Sequence, residues 1–332
     1  MVNINTSRAA GFICALFFPI SLSITAEAAS TTPLDLQGYA DAQGAISIQY
    51  KGGTIDPYFT LQALLMASEN GLDISSYAPH WANWLAERQK PDGTFDRYCR
   101  NGPVWAPCKT ADADDALMAI WLKYLDSMPG LLKNNPVWKK SYDQSAEKLS
   151  HLLDPARGVY MVSPVYQYGL FMDNLEVLSY RPPSGSSIKM PDAKTFANNI
   201  HTVFWDAKDS HFLVSTQLEQ KAMTSTFYPD QVAQLFPLLV DFKLLPSDRG
   251  TYYKNWMQKY RATWLAQSRS DFAWGLVAVI ALKQGDRASA SCWLRDTESA
   301  QRTSHWIVTD EVARQILVHH GVTPAKENAK CQ

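Results

Sequence analysis

Three aspartates, Asp112, Asp114 and Asp115, stand within one helical turn in the stretch TADADDALMAIWL, residues 110–122, at the front of an otherwise apolar run. A carboxylate before the first turn of a helix accepts backbone N–H groups and suits the positive end of the helix dipole. One cap serves one or two N–H groups, whereas extra carboxylates in the same turn repel each other. Repulsion and partial burial raise a carboxylate's pKa, the condition a general acid needs near neutral pH. The cluster reads either as helix punctuation with solvated neighbours or as chemistry. In the second reading Asp112 and Asp114 are catalytic and Asp115 is a substrate ligand.

Further acids stand at or near the starts of other apolar segments: Asp56 in DPYFTLQALLMASENG, Asp173 in LFMDNLEVLSY, Asp230 in TSTFYPDQVAQLF, then Asp271 and Asp310. A paired acid–base mechanism needs one carboxylic acid to donate a proton and one carboxylate to activate water or to attack. Residues from opposite parts of a ring meet that need better than neighbours on one helix, which makes Asp56 and Asp230 a catalytic pair. Asp173 and Glu176 lie one turn apart on one face and are substrate ligands. Tyr58 and Tyr228, beside Asp56 and Asp230, offer ring faces to a substrate, with core packing as the other reading of Tyr228. Trp105 is either a stacking residue on an exposed loop, alongside Asp96, Arg97 and Tyr98, or a plug in the core. Asp271 and Asp310, preceded by Ser270 and Thr309, read as caps.

Those acids must be positioned by helices. Eleven helical segments follow one another as nearly six hairpins, because each helix of a pair needs a neighbour for its apolar stripe. First members such as LMAIWL and WGLVAVIAL are the more apolar, and their partners carry the Lys, Arg and Glu. An inner ring of buried helices and an outer ring of amphipathic ones would have this pattern. The fold class is all-α, an (α/α)6 toroid, with minor β-ribbon insertions at GVYMVSP and HFLVSTQ. The stretch AISIQYKGG reads as a short strand across the start of the main domain. Parallel inner helices would bring the acids to one rim.

At these residues the chain resembles a known family. TADADDALMAIWL looks like the Ala-Thr-Asp-Ala-Asp-x-Asp-(Ile/Met)-Ala helix of the family 8 glycoside hydrolases, and the hairpin layout is similar to the six-hairpin glycosidase superfamily. Asp112-Ala113-Asp114 match the family's Asp-Ala-Asp, and Asp115 falls one place before its last aspartate. The family's general acid is a Glu in a Ser-Glu-Gly-x-x-Tyr-Gly-Met stretch leading the first inner helix. Here that place reads GTIDPYFTLQALL, with Asp56 as the nearest carboxylate. Either Asp56 takes the role or the acid lies elsewhere. The resemblance implies a glycosidase acting on a polysaccharide or oligosaccharide by inversion.

Composition removes other classes. A formal charge of −1 with no basic run lacks the electrostatic footprint of nucleic-acid binding. The seven histidines form no zinc-ligand spacing, and no phosphate loop or nucleophile elbow occurs, so no metal and no cofactor are expected. Arg8, an apolar run and TAEAAS read as a signal peptide over residues 1–28, leaving a single toroid domain over 29–332 in the periplasm or outside the cell. Cys14 in FICA does not match a lipoprotein signal, and the mature chain is expected to be a monomer without a membrane span. Of the four remaining cysteines, Cys99 and Cys108 flank a Gly/Pro loop that a disulfide would pin, while the connectivity of Cys292 and Cys331 stays open from sequence. Two further readings stand beside hydrolysis. A polysaccharide lyase would use Tyr228, Tyr166 or His201 as base, and a non-catalytic carbohydrate-binding toroid would use the acids only as caps and acceptors.

Overall fold

The computed structural model describes residues 32–186, 188–217, 219–220 and 225–331. The signal peptide read over residues 1–28, with Cys14, lies outside the described residues. Twelve α-helices occur among the described residues. The first six are α1 (Pro57–Glu69), α2 (Ala78–Ala86), α3 (Asp114–Asp126), α4 (Pro129–Asn134), α5 (Pro136–His151) and α6 (Phe171–Ser179). The others are α7 (Ala193–Phe204), α8 (Val232–Leu239), α9 (Arg249–Ala266), α10 (Gly275–Lys283), α11 (Arg287–Asp296) and α12 (Val308–His319).

Helices α1, α3, α6, α8, α10 and α12 form the inner ring. Each packs on the next, and α12 returns to α1 and closes the circle. Their sequences explain the placement: Gly275 through Ala281 of α10 are all buried, and ten of the thirteen residues of α3 are. Outside them, α5 packs on α3, α7 on α6, α9 on α8 and α11 on α10, while α2 follows α1 and leans on α5. These outer helices keep one apolar stripe and a polar face, as Trp138, Ser141, Ser145, Ala146 and Leu149 show on α5. The fold is an all-α toroid.

Among the described residues no outer helix packs on α12 as α11 does on α10. The segment before α1 takes that place: Val308 donates its N–H to Ile48 O at 2.7 Å, Gln49 bridges to Ile307, and Gln315 exchanges hydrogen bonds with the Asp35 backbone. The stretch read as a strand is therefore an irregular strap against the start of the last inner helix.

The strands are short apart from one hairpin. β1 (Thr32–Pro33) pairs with β3 (Leu72–Asp73), and β2 (Thr54–Ile55) edges the hairpin of β4 (Asp96–Asn101) and β5 (Val104–Thr110). β6 (Leu153–Asp154) with β7 (Val159–Tyr160), and β8 (Trp205–Asp206) with β9 (His211–Phe212), form two small ribbons, at the two insertions expected. Cys99–Cys108 links β4 to β5 across the hairpin, and Cys292–Cys331 ties the C-terminal segment to α11. No helix among the described residues is long and apolar enough to cross a membrane.

Candidate active site

At the rim where the inner helices begin, Asp56 stands before α1 with both carboxylate oxygens engaged. Oδ1 accepts the Tyr58 N–H at 3.1 Å, capping the helix, and Oδ2 lies 2.9 Å from Arg97 Nε. Arg97 Nη2 also reaches Asp112 Oδ1 at 2.8 Å, so one guanidinium ties two carboxylates. The pairing of β4 with β5 shifts register between Arg97 and Tyr98. Such irregularities re-aim side chains beside sites. Burial pushes the Asp56 pKa up, and the Arg97 charge and the Tyr58 amide pull it back in part. Asp112 is open to solvent, with 81% of its side chain exposed.

Below them lies a group of buried acids. Asp115 on α3 is fully buried, and neither of its oxygens has a hydrogen-bond partner. Asp173 and Glu176, one turn apart on α6, are buried too, and each keeps one oxygen without a partner. Glu176 Oε1 accepts the Tyr58 hydroxyl at 2.8 Å and lies 3.4 Å from Gln62 Nε2. Loss of hydration raises all three, since a charge out of water is unfavourable. Asp115 goes well above the ordinary carboxylate range, through burial first and then the Asp173 charge. Asp173 rises to about 7, through burial and then Asp112, and Glu176 to about 8, through burial and then Asp173. Near neutral pH the group holds protons that isolated carboxylates would have released.

An aromatic platform flanks the acids. The Tyr228 ring, 51% exposed, stacks on Trp274 with centroids 5.0 Å apart. Trp274 has a positive φ of 55°, a backbone region that costs a bulky residue on the order of 1–3 kcal/mol and gathers at functional sites. Its indole N–H reaches Asp271 Oδ2 at 3.2 Å, and its carbonyl accepts the Trp264 indole at 3.2 Å. Tyr168, before α6, lies within the fields of Asp112 and Asp173.

Of the residues singled out in the sequence, Asp56, Tyr58, Asp112, Asp115, Asp173, Glu176 and Tyr228 come together. Asp114, Asp230 and Trp105 do not join them. Helix α3 begins at Asp114 after an extended Ala113, so Asp112 lies outside the helix, and Asp114 and Asp115 point about 100° apart. Asp114 feels Lys148 and Lys90 before any acid, on the outer side. Asp230 lies in a wide helical turn, Phe227–Gln231, where its carboxylate accepts the Thr226 N–H and hydroxyl at 2.8 and 2.9 Å. It lines a separate cavity with Gln234 and Trp256. Trp105 is buried rather than exposed, its indole N–H bonded to Asp41 Oδ2 at 2.8 Å beneath the Arg100 guanidinium. Tyr98 is buried as well, edge-on to Trp84. Asp271 does not cap α10: the Gly275 N–H goes to Asp310 Oδ1 at 2.7 Å, and Ile307 N–H goes to Asp310 Oδ2. Asp310 thus serves two helix starts.

Arg97, Gln62, Tyr168 and Trp274 complete the site without having been read as members of it. A basic residue in the segment leading to three aspartates was the available signal for the first, though Arg97 shares that segment with Arg100 and Lys109. The other three carry no signal separable from helix packing. Among the described residues, no group of three or more His, Cys, Asp or Glu is arranged to hold a metal.

No family model and no curated protein matches the chain. A solved structure described as a novel alpha-amylase from Clostridium perfringens is similar in fold, with a TM-score of 0.54 at 10% identity, over 85% of this chain and 93% of that one. At that identity the likeness concerns the fold alone.

Proposed function

We propose that the chain is an exported glycoside hydrolase that cleaves a polysaccharide or oligosaccharide at this rim. The observation that carries the reading is the contrast in setting between Asp173 and Asp112. Asp173, buried in the first turn of α6 and raised to about 7, is the proton donor to the leaving oxygen. Asp112, exposed and ion-paired with Arg97, activates water. Asp56 anchors Arg97, the Asp112 charge opposes ionisation of Asp173, and Asp173 in turn raises Asp115 and Glu176 below it. The Tyr228–Trp274 face supplies uncharged stacking for the sugar, as a site rich in acids requires. The Clostridium neighbour's description as an amylase agrees with this chemistry.

Elimination is disfavoured by two observations. A lyase base must ionise, yet burial and neighbouring acids push the Tyr58 and Tyr228 hydroxyls upward. His201, considered as a base with Tyr228 and Tyr166, stacks on Trp205 in the outer layer. The acids would also repel a uronate. The test is incubation with starch, β-glucans, xylan and bacterial exopolysaccharides. New reducing ends without ultraviolet absorbance support hydrolysis, and proton NMR of the first product reads inversion or retention. An absorbing unsaturated end would mean elimination, and binding with neither product would leave a carbohydrate-binding toroid.

A further inference from the structure

A second concavity lies away from the acids, on the outer layer, between α9 and the β8–β9 ribbon. Its volume is about 600 Å³, within the range of sites for small ligands. Tyr252, Trp256 and Tyr260 line it from α9 at positions i, i+4 and i+8. That spacing places them along one face of the helix, over a rise of about 12 Å. Trp205 stands in the lining from the ribbon.

The polar ends of two of these rings are already used. The Tyr252 hydroxyl donates to Gln234 O at 2.6 Å, and the Trp256 indole N–H donates to Gln231 O at 2.7 Å. Trp256 is 4% exposed and packs on Phe227 and Tyr260, so ring surface for a ligand comes from the partly exposed Tyr252 and Tyr260, the latter with Lys259 Nζ 4.9 Å from its centroid. Hydrogen-bonding groups stand between and opposite them: Asn255 and Lys259 on α9, and Ser210, His211 and Asp230 across the gap. Lys259 is set against Asp209 and Asp230, so the lining favours neither a strong anion nor a strong cation. The partly exposed rings of Tyr252 and Tyr260, two turns apart on α9, with Trp205 from the ribbon and amides, hydroxyls and balanced charge at the edges, match a neutral oligosaccharide chain. Its apolar ring faces stack and its hydroxyls bond at the edges.

We propose that this cavity is a second glycan-binding site, taking a stretch of uncharged oligosaccharide against Tyr252 and Tyr260. The proposal rests on the hydrolase reading only for the choice of a glycan as ligand. The two sites adjoin through one short turn. Tyr228 faces the acids while Asp230, two residues on, faces the cavity, and Phe227 between the sites packs on both Trp256 and Trp274. A chain held in the cavity would keep its polymer near the rim between cleavage events.

Titration calorimetry with maltohexaose, cellohexaose and xylohexaose tests it, run on the full chain carrying Asp112→Asn so that the probe is not consumed. At least one hexasaccharide should bind at two sites. Tyr260→Ala and, separately, Asn255→Ala should weaken one of them at least tenfold, while Tyr228→Ala weakens the other. Circular dichroism of each variant checks that it is folded. Binding indifferent to both cavity substitutions, or abolished entirely by Tyr228→Ala, overturns the proposal, as does the absence of binding by all three probes. Failure of the hydrolase reading looks different: the chain with Asp112 intact binds a probe at the cavity but releases no reducing ends.

Discussion

Both rings of this toroid begin their helices beside aspartates, yet they use them in opposite ways. In the outer ring Asp192, Asp248 and Asp286 cap α7, α9 and α11, each accepting the N–H three residues on at about 3 Å. Hydrogen bonds hold the pKa of Asp192 and Asp248 down, and those from Ser289 and Tyr253 outweigh burial at Asp286. Among the described residues of the inner ring, Asp56 caps its own helix, through the N–H two residues on. Asp115 and Asp173 are buried, short of partners and raised. Asp310 is raised to about 7 by burial although backbone N–H groups satisfy it. Burial alone therefore does not mark an acid for chemistry. What separates Asp310 from Asp173 is an oxygen left without a partner, and a buried polar group in that condition is costly unless something else uses it.

The largest effect should come from removing the inner acids assigned to the reaction. Asp173→Asn and Asp112→Asn should each lower kcat by about 10³-fold on a verified substrate, with an unchanged melting temperature or a higher one. In the parent enzyme the rate should fall as pH rises through about 7, as Asp173 loses its proton. Near-native turnover in both variants would erase the contrast between the rings.

The next effect is on stability and has opposite signs in the two rings. Glu176 has a folded pKa raised to about 8, so between its unfolded value and 8 the folded state binds more protons than the unfolded state. Its contribution is present at low pH and is lost as pH rises from about 4 towards 8. Glu176→Gln should therefore stabilise the fold at pH 8 by on the order of 3 kcal/mol and do little at pH 4. Asp286, held low, behaves conversely: its stabilisation is present at neutral pH and lost on acidification. Denaturant titrations of both variants at several pH values read the two slopes, and slopes of the same sign would refute the division.

Asp286→Ala should cost about 1–2 kcal/mol, the range for a lost cap, and leave kcat unchanged. Urea unfolding and initial rates measure the two separately. A fall in rate per folded molecule would bring an outer cap into the chemistry.

The rings themselves were legible because apolar runs such as GLVAVIAL admit no polar face and so must be enclosed, while partners such as α5 keep one stripe. The strap over α12 was not legible as such, since its contacts with Asp35, Ile48 and Gln49 join residues more than 250 apart in sequence. The positions of the site acids could be read, but their directions could not. One residue of rotation separates Asp115, facing Asp173, from Asp114, facing Lys148. Trp105 was misplaced for a related reason: strand alternation in β5 turns it inward and leaves Val104 outside, and the partner that holds it, Asp41, lies on a distant loop.

The smallest effect belongs to the aspartate that the sequence motif made most suspect. Asp114 matches the second acid of the family 8 pattern, and a role beside the scissile bond would make Asp114→Asn cost a hundredfold or more in kcat/KM. In the folded chain its amide bonds to Val162 O at 2.8 Å, and its carboxylate sits among Lys90, Lys148, Asp92 and Asp96 on the outer side of α3. Burial raises its pKa and the two lysines offset part of that rise, a balance that involves none of the rim acids. Asp114→Asn should accordingly change kcat/KM by less than about threefold and leave the pH profile in place, with Asp112→Asn in the same motif as the contrasting control. A hundredfold loss at Asp114, or a shifted pH limb, would mean that α3 turns its other face to the substrate and that the acids grouped around Asp173 are not the reacting ones.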